Sequence, residues 1–173
     1  MFKYLFLPEI TEYEKILDYT DNMVYTSISP GFNAYLIKDY KILHQIKKIF
    51  KPVLGEEYNK RTLVWLQKID SRFNDHIHRD PRIYGISYIL KPGGSAVATS
   101  LYDDNQHIKY STIIKPHCWH VIKTSNLHSV SNIKTERISL SISVGNNINE
   151  HFLKMLKKIM VFILHHLVAL SIT

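Results

Sequence analysis

What most limits how this chain can fold is the texture of residues 61–145, where β-branched and aromatic residues alternate with polar ones and helical periodicity disappears. Short runs of this kind stand at residues 62–69, 83–90, 95–101, 107–114, 119–123, 128–130 and 137–144. Asp70-Ser71-Arg72, Lys91-Pro92-Gly93-Gly94, Tyr102-Asp103-Asp104-Asn105 and Pro116 separate them as turns, the second reading as a turn or hairpin. Seven or eight short strands at such spacing predict an antiparallel sandwich or barrel, and antiparallel closure makes it a jelly roll.

Helical signals flank this region. Leu5-Phe6-Leu7 reads as an opening strand, and Thr11 with Glu14 forms a capping box for a helix through Asp18. Residues 22–32 read as loop, with one short strand around Met23-Val24-Tyr25. Asp39 starts a second helix carrying Ile42, Leu43, Ile46, Ile49 and Phe50 on one stripe, and Pro52 is expected to stop it. Asn149 opens an amphipathic helix through Lys158, followed by an apolar tail that His165-His166 interrupts. That tail is short for a membrane span, so it reads as a buried or dimer-forming helix. The expected organisation is one domain: helical support over 1–60, a β core over 61–145 and a C-terminal helix over 146–173.

The single cysteine, Cys118, permits no intrachain disulfide and no Cys-rich zinc motif. The opening Met1-Phe2-Lys3-Tyr4-Leu5-Phe6-Leu7 breaks at Pro8 without a cleavage site, so a cytoplasmic protein is expected. A formal charge of +7 suggests an anionic or polymeric partner, protein or nucleic acid, although the basic residues are spread rather than run into blocks.

The chemistry concentrates in Phe73-Asn74-Asp75-His76-Ile77-His78-Arg79-Asp80. Two residues apart on extended chain, His78 and Asp80 point to one side and can grip one metal ion. A mononuclear Fe(II) site that keeps positions open takes two histidines and one carboxylate, so a second histidine is required. With ten histidines in the chain, proximity alone is a weak criterion. The informative segment lies downstream, where His128-Ser129-Val130 precedes Arg137-Ile138-Ser139 by a polar turn, His128 and Arg137 standing nine positions apart. A hairpin there would carry Arg137 towards His128 across the ladder.

The order His78-x-Asp80, His128-Ser129-Val130, Arg137-x-Ser139, with Gly93-Gly94 after the second core strand, resembles the Fe(II)/2-oxoglutarate-dependent dioxygenases over residues 61–145. The resemblance implies a double-stranded β-helix, with His78, Asp80 and His128 holding iron. It also implies that Arg137, assisted by Ser139, pairs with the distal carboxylate of 2-oxoglutarate. The implied activity is O2-dependent hydroxylation, or demethylation, of a substrate C–H bond with release of succinate and CO2. The small size resembles the prolyl-hydroxylase-like members and leans towards a protein side chain as substrate. Physical chemistry agrees: a dicarboxylate needs a buried cation, and a guanidinium gives bidentate, always-charged recognition.

Other assignments compete. His76-x-His78 is itself a metal-ligand spacing, so His76 stands against His78, and Asp75 against Asp80 unless it is a turn residue. His117 and His120 read as rim or core histidines. Tyr84 and Tyr88 share one strand face, and a packed core tyrosine is at least as good a reading as a cosubstrate contact. Two other classes stay open: a cupin-type metalloprotein without 2-oxoglutarate chemistry, and a basic nucleic-acid-binding module with incidental histidines.

Overall fold

The computed structural model of the chain describes residues 2–11, 13–54, 62–82 and 84–143. From the N-terminus, β1 (Phe2–Tyr4) leads to α1 (Tyr13–Thr20), a hairpin of β2 (Thr26–Ser29) and β3 (Phe32–Leu36), and then α2 (Tyr40–Leu54). The β-rich region supplies β4 (Leu63–Ile69), β5 (Gly85–Lys91), β6 (Ala98–Tyr102), β7 (Ile108–Ile113), β8 (Trp119–Ile122), β9 (His128–Ser131) and β10 (Arg137–Ser143). They form a seven-stranded sheet in the order β1-β8-β5-β10-β4-β3-β2 and a three-stranded sheet in the order β7-β6-β9. His78 and His128 exchange backbone hydrogen bonds, N–H to O at 3.0 and 2.9 Å, which ties the segment after β4 to the open edge of β9. From β4 onward the chain therefore passes between the two sheets in the manner of a jelly roll.

Strand β10 shows how the large sheet divides space. Ile138, Leu140 and Ile142 are at most 2% exposed and face the helices, while Arg137, Ser139 and Ser141 alternate with them and line the space between the sheets. On the helix side, Ile16 of α1 and Ile42, Ile46 and Phe50 of α2 meet Val64, Leu66, Ile86, Tyr88, Trp119 and Val121 in one buried cluster. Each such side chain stabilises the fold by about 1.5–3 kcal/mol. The main apolar cluster thus lies outside the barrel, under the helices, and the barrel interior combines polar side chains with an apolar wall that includes Phe73, Ile89, Ile114 and Ile122. Tyr88 belongs to that core: it lies 4.9 Å from the Trp119 ring and its hydroxyl accepts the Ile10 N–H.

Several boundaries differ from those read in the sequence. The opening strand is residues 2–4, although Leu5 N–H still reaches Trp119 O at 2.8 Å. Where loop was expected, β2 and β3 form a hairpin, because Gly31 adopts φ +74° and turns the chain. Strand β2 is almost wholly exposed and carries no alternation to betray it. The first helix runs two residues past Asp18, and α2 continues to Leu54. Asp39 caps α2 by accepting the Ile42 N–H at 3.0 Å, and Pro52 sits in the last turn, where losing one backbone bond does not stop the helix.

The hairpin expected at 132–135 is a crossing instead, and so is the segment at Lys91–Gly94 that reads as a turn or hairpin. The Lys91–Gly94 turn carries the chain from the large sheet to the small one, and the turn at 132–135 carries it back, so β9 and β10 share no ladder. The crossings brace each other, since Gly93 O accepts from both Lys134 N–H and Thr135 N–H at 2.9 Å. Among the described residues no helix is long and apolar enough to cross a membrane. The C-terminal helix, and the dimer assigned to it, fall outside the described residues.

Gly93 has φ +81°, and a Cβ there would stand 2.9 Å from Arg137 Cβ and 3.2 Å from its Cα. Gly93→Ala is therefore expected to destabilise the protein by about 1–3 kcal/mol, read as a lowered urea midpoint with unchanged slope. A midpoint equal to that of the parent would contradict the close approach.

Candidate metal centre

His78 and Asp80 lie on extended chain, with His78 Nε2 3.7 Å from Asp80 Oδ1, and the paired backbone of His128 brings the third side chain alongside. One donor atom from each of His78, Asp80 and His128 lies within 4.8 Å of the others. In both histidines Nδ1 is 2.9 Å from the carbonyl oxygen two residues earlier, His76 O and Asn126 O. A carbonyl only accepts, so Nδ1 carries the proton and Nε2 keeps its lone pair for a metal. Burial pushes the His128 pKa down, which favours the neutral, ligating form. Two neutral imidazoles and one carboxylate fit a divalent first-row metal that must retain open positions.

The second oxygen of Asp80 is engaged elsewhere. Arg82 donates to Asp80 Oδ2 at 2.6 Å, and its other terminal nitrogen donates to Ser141 Oγ at 3.2 Å and Ser143 Oγ at 2.9 Å. Asp80 N–H reaches Thr124 O at 2.9 Å, and Thr124 Oγ1 donates to Arg82 O at 3.0 Å. The ligand segment is thereby fixed to the strand end after β8 and to β10.

The triad opens onto a cavity of about 120 Å³ between the sheets, lined also by Arg137, Ser139, Ser141, Gln67, Thr99 and His120. Arg137 is 6% exposed, and no carboxylate among the described residues pairs with it; burial alone pushes its pKa down to about 10. His120 is 3% exposed, and its Nδ1, like Thr99 Oγ1, has no hydrogen-bond partner. Burial and the Arg137 charge push the His120 pKa down to about 3, so the ring is neutral. Buried polar groups are ordinarily satisfied. Two that are not, His120 Nδ1 and Thr99 Oγ1, stand around one cavity with a buried guanidinium that has no carboxylate partner among the described residues, an arrangement suited to an anionic ligand.

The sequence reading placed Arg137 near His128 by a hairpin; the two meet instead across the cavity, from opposite sheets. His76 is exposed and stacks on His78 at 5.3 Å, and it contributes its carbonyl rather than its ring to the triad. Asp75 is a turn residue with φ 58°. His117 packs on Tyr13 at 4.1 Å, away from the cavity lining. Sequence reasoning missed Arg82, Thr99 and the inward position of His120. Arg82 had a signal, since His78, Asp80 and Arg82 recur every second residue and so share a face.

No protein-family model matches the chain, and no curated protein matches it. Solved structures do. A prolyl-4-hydroxylase from Pseudomonas putida superposes with a TM-score of 0.56 at 11% identity, over 84% of this chain and 92% of that one. KdgF from Halomonas sp. matches with a TM-score of 0.44 at 11% identity, over 74% of this chain and 92% of that one. Oxalate decarboxylase from Bacillus subtilis, a protein with Mn(II) centres, matches with a TM-score of 0.45 at 11% identity over 73% of this chain. The chain spans 29% of that decarboxylase chain. The likeness is one of fold, and the hydroxylase carries it.

A histidine kept neutral by burial makes stability depend on acid. The unfolded chain protonates His120 near the ordinary pKa of 6.5 and the folded one only near 3, so stability is full above about pH 6.5 and falls as pH drops towards 3. His120→Asn is expected to flatten that fall by up to one proton, about 1.4 kcal/mol per pH unit, in urea unfolding compared at pH 7, 5.5 and 4.5. An unchanged slope would show that His120 titrates normally in the folded protein.

Proposed function

We propose that the chain is a double-stranded β-helix oxygenase dependent on Fe(II) and 2-oxoglutarate, with His78, Asp80 and His128 as metal ligands and Arg137 and Ser139 as cosubstrate ligands. One observation carries the reading: a buried guanidinium without a carboxylate partner lines the same cavity as the two-histidine, one-carboxylate cluster. A metal site serving no anion would leave Arg137 desolvated without compensation. The chemistry that Fe(II), 2-oxoglutarate and O2 supply in such a site is hydroxylation or demethylation of a substrate C–H bond, with release of succinate and CO2.

The residues of this chain divide the remaining work. The His76 and Asn126 carbonyls hold the two imidazoles in the ligating tautomer. Arg137 binds the far carboxylate of the cosubstrate bidentately, with the Ser139 hydroxyl two residues on along the same strand face. The apolar cavity wall of Phe73, Ile89, Ile114 and Ile122 excludes water from the reacting end. The formal charge of +7 favours an anionic or polymeric substrate, protein or nucleic acid, and the likeness to a prolyl-4-hydroxylase favours a protein side chain.

Under nitrogen, Fe(II) and 2-oxoglutarate are expected to give the protein a visible charge-transfer band. Arg137→Ala should weaken cosubstrate binding by about 2–5 kcal/mol, roughly 30-fold to several thousand-fold, with metal binding retained. His128→Ala should abolish the band altogether. A band of parental strength and affinity in Arg137→Ala would point to metal chemistry without the 2-oxo acid.

A further inference from the structure

The Asp80 carboxylate is divided between two tasks. Its Oδ1 stands 3.7 Å from His78 Nε2, and its Oδ2 accepts a 2.6 Å charge-assisted hydrogen bond from Arg82. Arg82 is itself clamped from the far side, by Ser141 Oγ at 3.2 Å and Ser143 Oγ at 2.9 Å on β10, and through its carbonyl by Thr124 Oγ1 at 3.0 Å. The guanidinium is therefore not free to follow the carboxylate, and rotation of Asp80 to present both oxygens to one ion would break the ion pair. The number of ligand oxygens matters here. Of six positions on a metal ion, three protein donors leave three, whereas a chelating Asp80 would leave two.

We propose that Arg82 is a positioning residue that restricts Asp80 to a single ligand oxygen, so that the metal keeps three open positions. The inference rests on the assignment of His78, Asp80 and His128 as a metal site. Arg82 also lines the cavity, but in this role it is not itself a ligand to metal or cosubstrate. It acts through Asp80, with the two serines and Thr124 as its supports. It also explains why the polar positions on this face of β10 continue past Arg137 and Ser139 to Ser141 and Ser143: the first pair lines the cavity and the second holds the cation that disciplines the ligand.

The test uses Co(II) as the metal probe on the whole chain, comparing the parent with Arg82→Gln, Arg82→Lys and the double variant Ser141→Ala/Ser143→Ala. The separation of the asymmetric and symmetric carboxylate stretches, in the infrared difference between Co(II)-loaded and metal-free protein, reads the denticity; Asp80→Asn identifies the band. A wide separation is expected in the parent, a narrow one in Arg82→Gln, and recovery of the wide one in Arg82→Lys, which keeps a cation that can hold one oxygen. Calorimetry should show 2-oxoglutarate binding to Co(II)-loaded Arg82→Gln weakened tenfold or more while Co(II) is still bound. The double serine variant, which frees Arg82 without removing its charge, should shift in the same direction, and it serves as the decisive comparison if Arg82→Gln does not fold. A wide separation in Arg82→Gln, or in the double variant in that case, overturns the proposal. If the parent binds no Co(II), the metal site and the role of Arg82 fall together. If the parent binds Co(II) through Asp80 but takes no 2-oxoglutarate, the cosubstrate assignment falls and the band separation still decides on Arg82.

Discussion

Everything in this molecule depends on the large sheet keeping its two faces in different media. Along β10 the alternation of Ile138, Leu140 and Ile142 with Arg137, Ser139 and Ser141 sends every apolar side chain to the helices and every polar one to the cavity. In many small β-sandwiches the space between the sheets is the core. Here α1 and α2 take over that function on the outside, so the inside is released for chemistry. The helices are the reason a domain of this size tolerates a buried guanidinium, a buried imidazole and a row of hydroxyls between its sheets.

The arrangement of the site follows from that division. The His78, Asp80 and His128 cluster on the small-sheet side and Arg137 on the large-sheet side line one cavity, so under the proposed function a molecule with an acidic group at each end would be held from both walls. Electrostatics reinforce the geometry, since a desolvated cation without a counter-charge is costly and the cavity is stabilised when an anion enters. The two turns at 91–94 and 132–135 brace each other next to Arg137 and set where its chain begins.

Much of this could be read from residues alone. Period-two alternation revealed the strands, Asp39 announced its helix, and the spacing of His78 and Asp80 was enough to place them on one face. What alternation does not encode is the partner: it says which side chains share a face, not which strand lies beside which, and so the crossing at 132–135 reads as a hairpin and the one at 91–94 as either a turn or a hairpin. Strand β2 was illegible because both its faces meet water. His120 is buried and not among the clustered donors, as a rim or core histidine should be; what its sequence position does not announce is that, between the core residues Trp119 and Val121, it lies on the opposite face, which in this fold is the cavity. For Arg82 the period-two spacing after His78 and Asp80 is the one signal in the sequence, and its bonds to Asp80, Ser141 and Ser143 are visible only in the fold.

The reciprocal backbone pair between His78 and His128 joins positions fifty residues apart in the chain. A contact between segments so distant closes a long loop, at an entropic cost that contacts between near neighbours do not carry. A ligand gripping both side chains behaves as a reversible cross-link on the finished fold, opposing the opening of the barrel at its seam. In such a protein, occupancy of the site and integrity of the architecture are one equilibrium viewed from two ends.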